Sequence, residues 1–473
     1  MIASFGSRLD KAIKKSKYQY LFLIAIVLLA GLLRFYKLGA WGFWLDEIYS
    51  VRDAFHLTGQ DIVQYTGDPK DLYYPISYAL IRLALALLGV NEWSARLVPC
   101  LVGIISIPIL YFPVRKMFNS TVGLLAVLLL AVSPWHLYWS QNARFYSLLL
   151  LLCNLSLLFF YLGLETDSSK YAIASGALLA LAMLTHVAAV IILSALVLYL
   201  PVLKLLRLEL PIGFNLKNII FFSLAPAASV VYLGLTVLGR RPEEVTNMQA
   251  GNPLRMFLGV AFYIGVPLIC FVLASLVYLA LVKRSRPAAF LGVGAVAPIL
   301  LVAVASFFAV TRNRYAFVTL FSWTALGACG IAELLSQVKG KAKLLALGVL
   351  MILVLDSFSE DVLYYRFQNG NREDWRSAFE YVKQNRTQED LVAVTFPAAG
   401  DYYLGETTLW IANLKPEDVE FAGRRVWFVE NDAIDWDYPR IQAWIKENTK
   451  LVANFDVQVS IRTHKMRVLL YEP

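Results

Sequence analysis

Two adjacent carboxylates, Asp46 and Glu47, follow the aromatic run Trp41, Phe43 and Trp44. Neighbouring residues in a helix or an extended segment point in different directions, so the two acids do not share one role. One can face a cavity as a general base while the other caps or pairs. An isolated acidic pair reads as a helix start, with Asp46 capping a helix over 48–55; beside an aromatic belt in a long polar loop it reads as a site.

A second group of polar residues, His136, Gln141, Asn142, Arg144 and Tyr146, stands among the aromatics of the stretch 133–146. His136 alone reads as an interfacial or satisfied histidine. Arg144 resists such an explanation. A guanidinium at membrane depth is costly and usually faces a bundle interior or a watery cavity, and its planar fork suits a phosphate. Thr185 and His186 divide two short apolar runs, and Arg312 and Arg314 divide two long ones. Each could mark a turn; together with Arg144 they set positive charge opposite the Asp46 carboxylate. Transfer of a group off an anionic leaving phosphate requires that arrangement. No HExxH, CxxC or GxSxG pattern and no Gly-rich nucleotide loop occurs. A divalent metal stays open, with Asp46 the residue to hold it.

The elements that must position these groups are membrane helices. Of the 473 residues 59% are hydrophobic, and the mean hydropathy is +0.60, too apolar for a soluble chain of this length. The runs 20–33, 122–132 and 342–355 are apolar on every helical face. The first follows Lys11, Lys14, Lys15 and Lys17 and ends at Arg34, with no small-residue cleavage site, so it reads as a retained anchor with a cytoplasmic N-terminus. The net charge of +9 divides unevenly. Residues 1–356 hold 29 Lys/Arg against 15 Asp/Glu, and residues 357–473 hold 14 against 19. The basic excess therefore belongs to the membrane loops and not to nucleic-acid binding. All four cysteines, Cys100, Cys153, Cys270 and Cys329, lie in or beside apolar segments, and their usage gives no compartment.

Basic clusters fixed on the cytoplasmic side thread the chain through about 11 crossings of roughly 20 residues each. A long outer loop then occupies 39–94. Within it 72–88, which carries Pro75 and Arg82, reads as an interfacial helix and not a span. Spans are expected over 95–114, 121–139, 145–164 and 256–282, among others. The transmembrane part ends at Asp356, and 357–473 form a small α/β domain on the outer face. Its helix-like pieces are 375–384 and 440–447, its strand-like runs 391–396, 425–429 and 467–471. Residues 368–372 read as a short hinge.

Several of these motifs recur in order: Gly42-Phe43-Trp44-Leu45-Asp46-Glu47, Asn91-Glu92-Trp93-Ser94-Ala95-Arg96-Leu97, Ser133-Pro134-Trp135-His136, Ser140-Gln141-Asn142-Ala143-Arg144-Phe145-Tyr146, Thr185-His186 and Arg314-Tyr315. The set resembles the protein O-mannosyltransferase and lipid A aminoarabinose transferase superfamily of GT-C glycosyltransferases. Two positions depart from it. Tyr73-Tyr74-Pro75 stands where relatives often carry His-Pro-Pro, and Asn142 stands where a Glu is common, which bears on the sugar and on metal dependence.

The resemblance implies a mainly α polytopic membrane protein of GT-C fold, placed in the plasma membrane with its C-terminus extracytoplasmic. It implies a polyprenyl-phosphate sugar as donor and a hydroxyl of a lipid, glycan or protein outside the cytoplasm as acceptor. Asp46 and Glu47 then form the catalytic pair, with Asp46 the base of an inverting transfer. Arg144, His186, Arg312, Arg314, Tyr73, His136, Gln141 and Tyr146 line the substrate. The rival readings are a lipid-sugar flippase, a noncatalytic membrane assembly protein, and a polymerase or ligase fed by a lipid-linked oligosaccharide. Transporters carry ionisable residues near the midplane on two related halves, and no internal symmetry is seen here.

Overall fold

The computed structural model describes residues 16–56, 75–238, 251–308, 311–337, 343–414, 423–437, 439–459 and 462–473. The first helices are α1 (Ser16–Phe35), α2 (Leu45–His56), α3 (Pro75–Leu88), α4 (Glu92–Met117), α5 (Ser120–Ala131) and α6 (Pro134–Ser140). Next come α7 (Tyr146–Thr166), α8 (Ser169–Thr185), α9 (Leu193–Leu205), α10 (Leu216–Leu238), α11 (Pro253–Ile264) and α12 (Val266–Val277). The helical part closes with α13 (Arg286–Ala305), α14 (Leu320–Gln337) and α15 (Lys343–Arg366). The chain divides into two compact units. One lies within 1–36, 59–80 and 98–361, the other within 37–58, 81–97 and 362–473.

Among the described residues of the whole chain, seven helices are long and apolar enough to cross a membrane, and nine if each of two bent pairs counts as one span. Of the expected crossings, α8 misses by length, at 17 residues. The other, α15, misses by charge, through Asp356, Glu360 and Asp361. Two spans expected to be continuous are broken. The pair α5–α6 bends by 63° and α11–α12 by 94°. Pro134 at the start of α6 has no N–H to continue the ladder and holds Ser133 extended, at φ −70° and ψ 123°. The second break falls at Gly265, whose φ of 95° is closed to other residues, with Pro267 immediately beyond. The apolar stretch in the first loop forms α3, 14 residues long. At about 1.5 Å per residue that falls short of a ~30 Å hydrocarbon core.

Small residues let the spans approach. Ser156 on α7 and Ser175 on α8 exchange hydroxyl-to-carbonyl hydrogen bonds of 2.9 and 2.7 Å, and a methyl group added at Gly176 would run into the Phe222 carbonyl. Asn154, the amide of leucine-rich α7, donates to Leu150 O and Val318 O, both at 2.9 Å.

The second unit carries α16 (Trp375–Asn385), α17 (Pro397–Leu404), α18 (Ala433–Asp437) and α19 (Pro439–Asn448). Its strands are β1 (Leu391–Val394), β2 (Leu409–Trp410), β3 (Val426–Asn431), β4 (Lys450–Asn454), β5 (Val457–Val459), β6 (Arg462–His464) and β7 (Met466–Tyr471). A mixed five-stranded sheet has the order β2-β1-β3-β7-β4, with β1 parallel to both neighbours and β7 antiparallel to β3 and β4. Ala393, Val426, Phe428, Ile434, Ile441, Ile445 and Leu469 form its core. The expected hinge at 368–372 is instead a packed turn. Asn369, Gly370 and Asn371 take positive φ, and Gln368 and Arg372 are buried. A division at residue 356, read from hydropathy, would cut through α15.

All six positions of β3 are buried, including Glu430, which stands opposite Arg467 of β7. Burial, opposed by the Arg467 charge, pushes the Glu430 carboxyl up to about 7. An acid raised in the fold stabilises it while protonated; that contribution is full below the ordinary value near 4.5 and is lost as pH rises through about 7. The Glu430→Gln variant should therefore gain melting temperature over the wild type as pH is raised across this window, levelling off above it. Equal pH dependence of the two melting curves would contradict this.

Candidate active site

Asp46 and Glu47 sit in the first turn of α2, which begins after Trp44; the Ile48 N–H reaches the Trp44 carbonyl at 3.1 Å. The two acids diverge. Glu47 is fully buried, whereas Asp46 is partly exposed. Arg96 grips Glu47 with its fork, Nε to Oε1 at 2.8 Å and Nη2 to Oε2 at 2.7 Å, and Arg372 Nε adds a contact to Oε2 at 3.3 Å. Arg96 also donates to the carbonyls of Leu38, Trp41 and Gly42 at 3.2, 2.9 and 2.9 Å. One buried guanidinium thus ties the loop before α2 to the helix's own second acid. Arg372 is held in turn by the Gly370 carbonyl at 2.7 Å and packs on the Trp41 ring. The loop is fixed from behind by Tyr403, whose hydroxyl accepts the Phe43 N–H at 2.6 Å.

The membrane unit assembles a separate cluster around His186. The imidazole stacks on Phe145 at 4.2 Å and neighbours Tyr146 and Tyr315, each 5.9 Å away. Ala188 N–H donates to its Nδ1 at 3.0 Å, so the neutral ring carries its proton on Nε2. The guanidinium groups of Arg144 and Arg314 both bear electrostatically on this ring, and Arg144 lies over Phe145 at 4.8 Å. Arg312 is exposed and heads the 3-10 turn Asn313–Thr319. Of the expected substrate-lining residues, then, Arg144, Tyr146, His186 and Arg314 come together, and Arg312 is exposed two residues before Arg314. Tyr73 lies outside the described residues.

His136 and Gln141 are fully buried and tied to the end of α1. Arg34 Nη2 meets His136 Nδ1 at 2.6 Å, and since arginine only donates, the ring's proton is on Nε2, 3.4 Å from Ser106 Oγ. The same guanidinium donates to Ala131 O at 2.9 Å, supplying a partner at the α5–α6 break where the helix ladder stops. Gln141 donates to the Arg34 and Tyr36 carbonyls at 2.8 and 2.7 Å, capping α1. Their geometry is that of staples.

Arg96, Arg372 and Tyr403 carry no individual role in the sequence expectations, and Arg34 enters there only as the end of the first span. The cost of a guanidinium at membrane depth, which singled out Arg144, applies equally to Arg34 and Arg96 and would have found them. Nothing in the local sequence marks Arg372 or Tyr403. The acidic pair does not fit a divalent-cation ligand set, because both Glu47 oxygens are occupied by guanidinium groups. Among the described residues no three His, Cys, Asp or Glu side chains converge.

Residues 74–232 match the family model described as dolichyl-phosphate-mannose-protein mannosyltransferase. No curated protein sequence matches the chain. Its fold is similar to that of ArnT from Cupriavidus metallidurans in the apo state, at 14% identity over 94% of this chain and 97% of that one, with a TM-score of 0.59. ArnT bound to undecaprenyl phosphate gives 13%, 96%, 98% and 0.59. The archaeal oligosaccharyltransferase AglB from Archaeoglobus fulgidus, in complex with an inhibitory peptide and a dolichol-phosphate, gives 12%, 95%, 74% and 0.56. The fold is thus ArnT-like, and the family match covers 159 of the 473 residues.

Removing Arg96 would strip the two-pronged contact from a fully buried Glu47. Breaking one side of such a pair costs about 3–5 kcal/mol, so Arg96→Ala should lower the melting temperature sharply. Arg96→Lys keeps the charge but not the fork, and should fall between. Unchanged melting of Arg96→Ala would contradict the role given to this residue.

Proposed function

We propose that the chain transfers a glycosyl group from a polyprenyl-phosphate donor to a hydroxyl acceptor on the extracytoplasmic side, with inversion at the anomeric carbon. The observation that carries this reading is the divergence of the acidic pair: Glu47 is fully buried against Arg96 and Arg372, whereas Asp46 is partly exposed beside a loop pinned from behind. The GT-C fold and the match to a mannosyltransferase family support it. So does the similarity to ArnT bound to undecaprenyl phosphate.

In the transfer, the acceptor hydroxyl gives its proton to the Asp46 carboxylate while its oxygen attacks the anomeric carbon. The bond from that carbon to the phosphate oxygen breaks, and polyprenyl phosphate leaves with the electron pair. Arg144 and Arg314 hold the departing phosphate and stabilise charge that grows on it in the transition state. The neutral His186, with its proton on Nε2, offers a hydrogen bond in the same cluster, and Tyr146 and Phe145 shape it. We assign Glu47, His136 and Gln141 positioning roles. The N-terminus is cytoplasmic and the C-terminal part extracytoplasmic in this reading.

The bent spans are the feature that favours a lipid transporter instead. One assay separates the two. Purified protein is supplied with radiolabelled polyprenyl-phosphate monosaccharides and a membrane-lipid or glycan extract. The wild type should release free polyprenyl phosphate, and Asp46→Asn should bind donor as before while turnover falls by about 10²–10⁴, the usual worth of a general base. Vectorial movement of intact lipid that is indifferent to Asp46 would favour the transporter and overturn the transferase.

A further inference from the structure

The second unit contains a cleft that plays no part in the step just described. It holds about 500 Å³ and is lined by Val90, Glu92, Arg376, Phe379, Glu380, Lys383, Tyr402 and Tyr403, a volume within the ~300–1,000 Å³ of ordinary ligand sites. The geometry points to this cleft as a subsite for one or two neutral sugar rings of the acceptor, an inference that rests on the transferase reading and names its acceptor as a glycan.

The lining decides the ligand class. Two carboxylates, Glu92 and Glu380, stand with two cations, Arg376 and Lys383. A phosphate would meet two like charges and a metal ion two others, whereas a polyhydroxyl ring, which donates and accepts at every position, can use both signs at once. The floor is aromatic. Phe379 is buried and stacks on Tyr403 at 5.8 Å, and Tyr402 meets Tyr403 edge-on at 4.9 Å. Aromatic faces with their negative quadrupole pack against the weakly positive C–H face of a pyranose. Among the described residues neither the Tyr402 hydroxyl nor the Lys383 ammonium has a hydrogen-bond partner, so both are available to a ligand. Burial and the Glu92 charge push the Tyr402 hydroxyl up to about 12, which keeps it neutral and able to donate.

The cleft is also built into the loop that precedes Asp46. Arg376 pairs with Glu92 at 2.5 Å and donates to the Ala40 carbonyl at 2.9 Å. Tyr403 donates to Glu92 at 3.3 Å while accepting from Phe43 N–H. A side chain at Gly42 would meet Tyr403 Oη at 2.8 Å and Arg376 Cβ at 3.0 Å. The wall of the cleft thus reaches to within three residues of the proposed base. A glycan held there extends from the same loop that presents Asp46, which suits rings distal to the accepting hydroxyl.

Saturation-transfer NMR on the full chain in a sugar-free detergent tests this, with cellobiose, maltose and chitobiose as probes and a short Ser/Thr peptide as contrast. The ring C–H protons of at least one disaccharide should be saturated by the wild type and equally by Asp46→Asn. Tyr402→Ala should weaken that binding by about tenfold, the worth of an aromatic anchor. Lys383→Ala, a change at an exposed side chain that leaves the fold alone, should weaken it as well. No saturation of any sugar, saturation untouched by both variants, or saturation of the peptide in place of the sugars would overturn the inference. Asp46-dependent release of polyprenyl phosphate without sugar binding would sink the subsite and spare the transferase; sugar binding without such release would do the reverse.

Discussion

A single buried guanidinium organises the loop that leads into α2. Arg96 has no exposure, and neither has its partner Glu47. Two opposite charges withdrawn from water recover their desolvation cost only when every remaining donor finds a partner. Arg96 meets that condition by reaching both Glu47 oxygens and three carbonyls of the loop 38–42. The consequence is geometric. Because Glu47 points inward to the fork, and neighbouring helical residues point apart, Asp46 is turned away from it. The two consecutive acids therefore differ in burial, Glu47 fully enclosed and Asp46 partly exposed.

The membrane unit solves a related problem with the same kind of group. Pro134 interrupts a span and strands carbonyls that lipid cannot satisfy. Arg34 supplies hydrogen to the Ala131 carbonyl and to the His136 ring, and Gln141 closes the end of α1. The bend so stabilised leads directly into the segment that carries Arg144, Phe145 and Tyr146, where the chain turns back to meet His186 and the Arg314–Tyr315 segment. A break in a helix, costly in lipid, is retained where it delivers cationic and aromatic side chains to one cluster.

Much of this was legible in the sequence because its signals are local. Apolar runs gave the helices of the membrane unit, and the runs 391–396, 425–429 and 467–471 gave β1, β3 and β7, each a buried strand with strong apolar content. The strands β2, β4, β5 and β6 escaped: β2, β5 and β6 are only two or three residues long, and β4 is polar at both ends. The bends at Ser133 and Gly265 were missed although Pro134 and Gly265-Val266-Pro267 are visible, because hydropathy continues unbroken across them. The hinge reading of 368–372 failed for a tertiary reason: Gly370 and Arg372 are packed against Trp41, more than three hundred residues away in sequence. Different surroundings for Asp46 and Glu47 follow from their adjacency, but that Glu47 is the buried one depends on Arg96 and Arg372, and no spacing rule connects those positions.

The claim on which the account turns is that Asp46 acts as a base whose function is chemical and not architectural. Chemical rescue tests it directly. Asp46→Ala, which deletes the carboxylate and keeps the loop pinned through Glu47 and Arg96, should be nearly inactive and should regain turnover in added formate, by about tenfold or more, as a small external carboxylate takes over proton abstraction. Glu47→Ala should show no such recovery. Rescue of Glu47→Ala by formate with Asp46→Ala left indifferent would contradict the account.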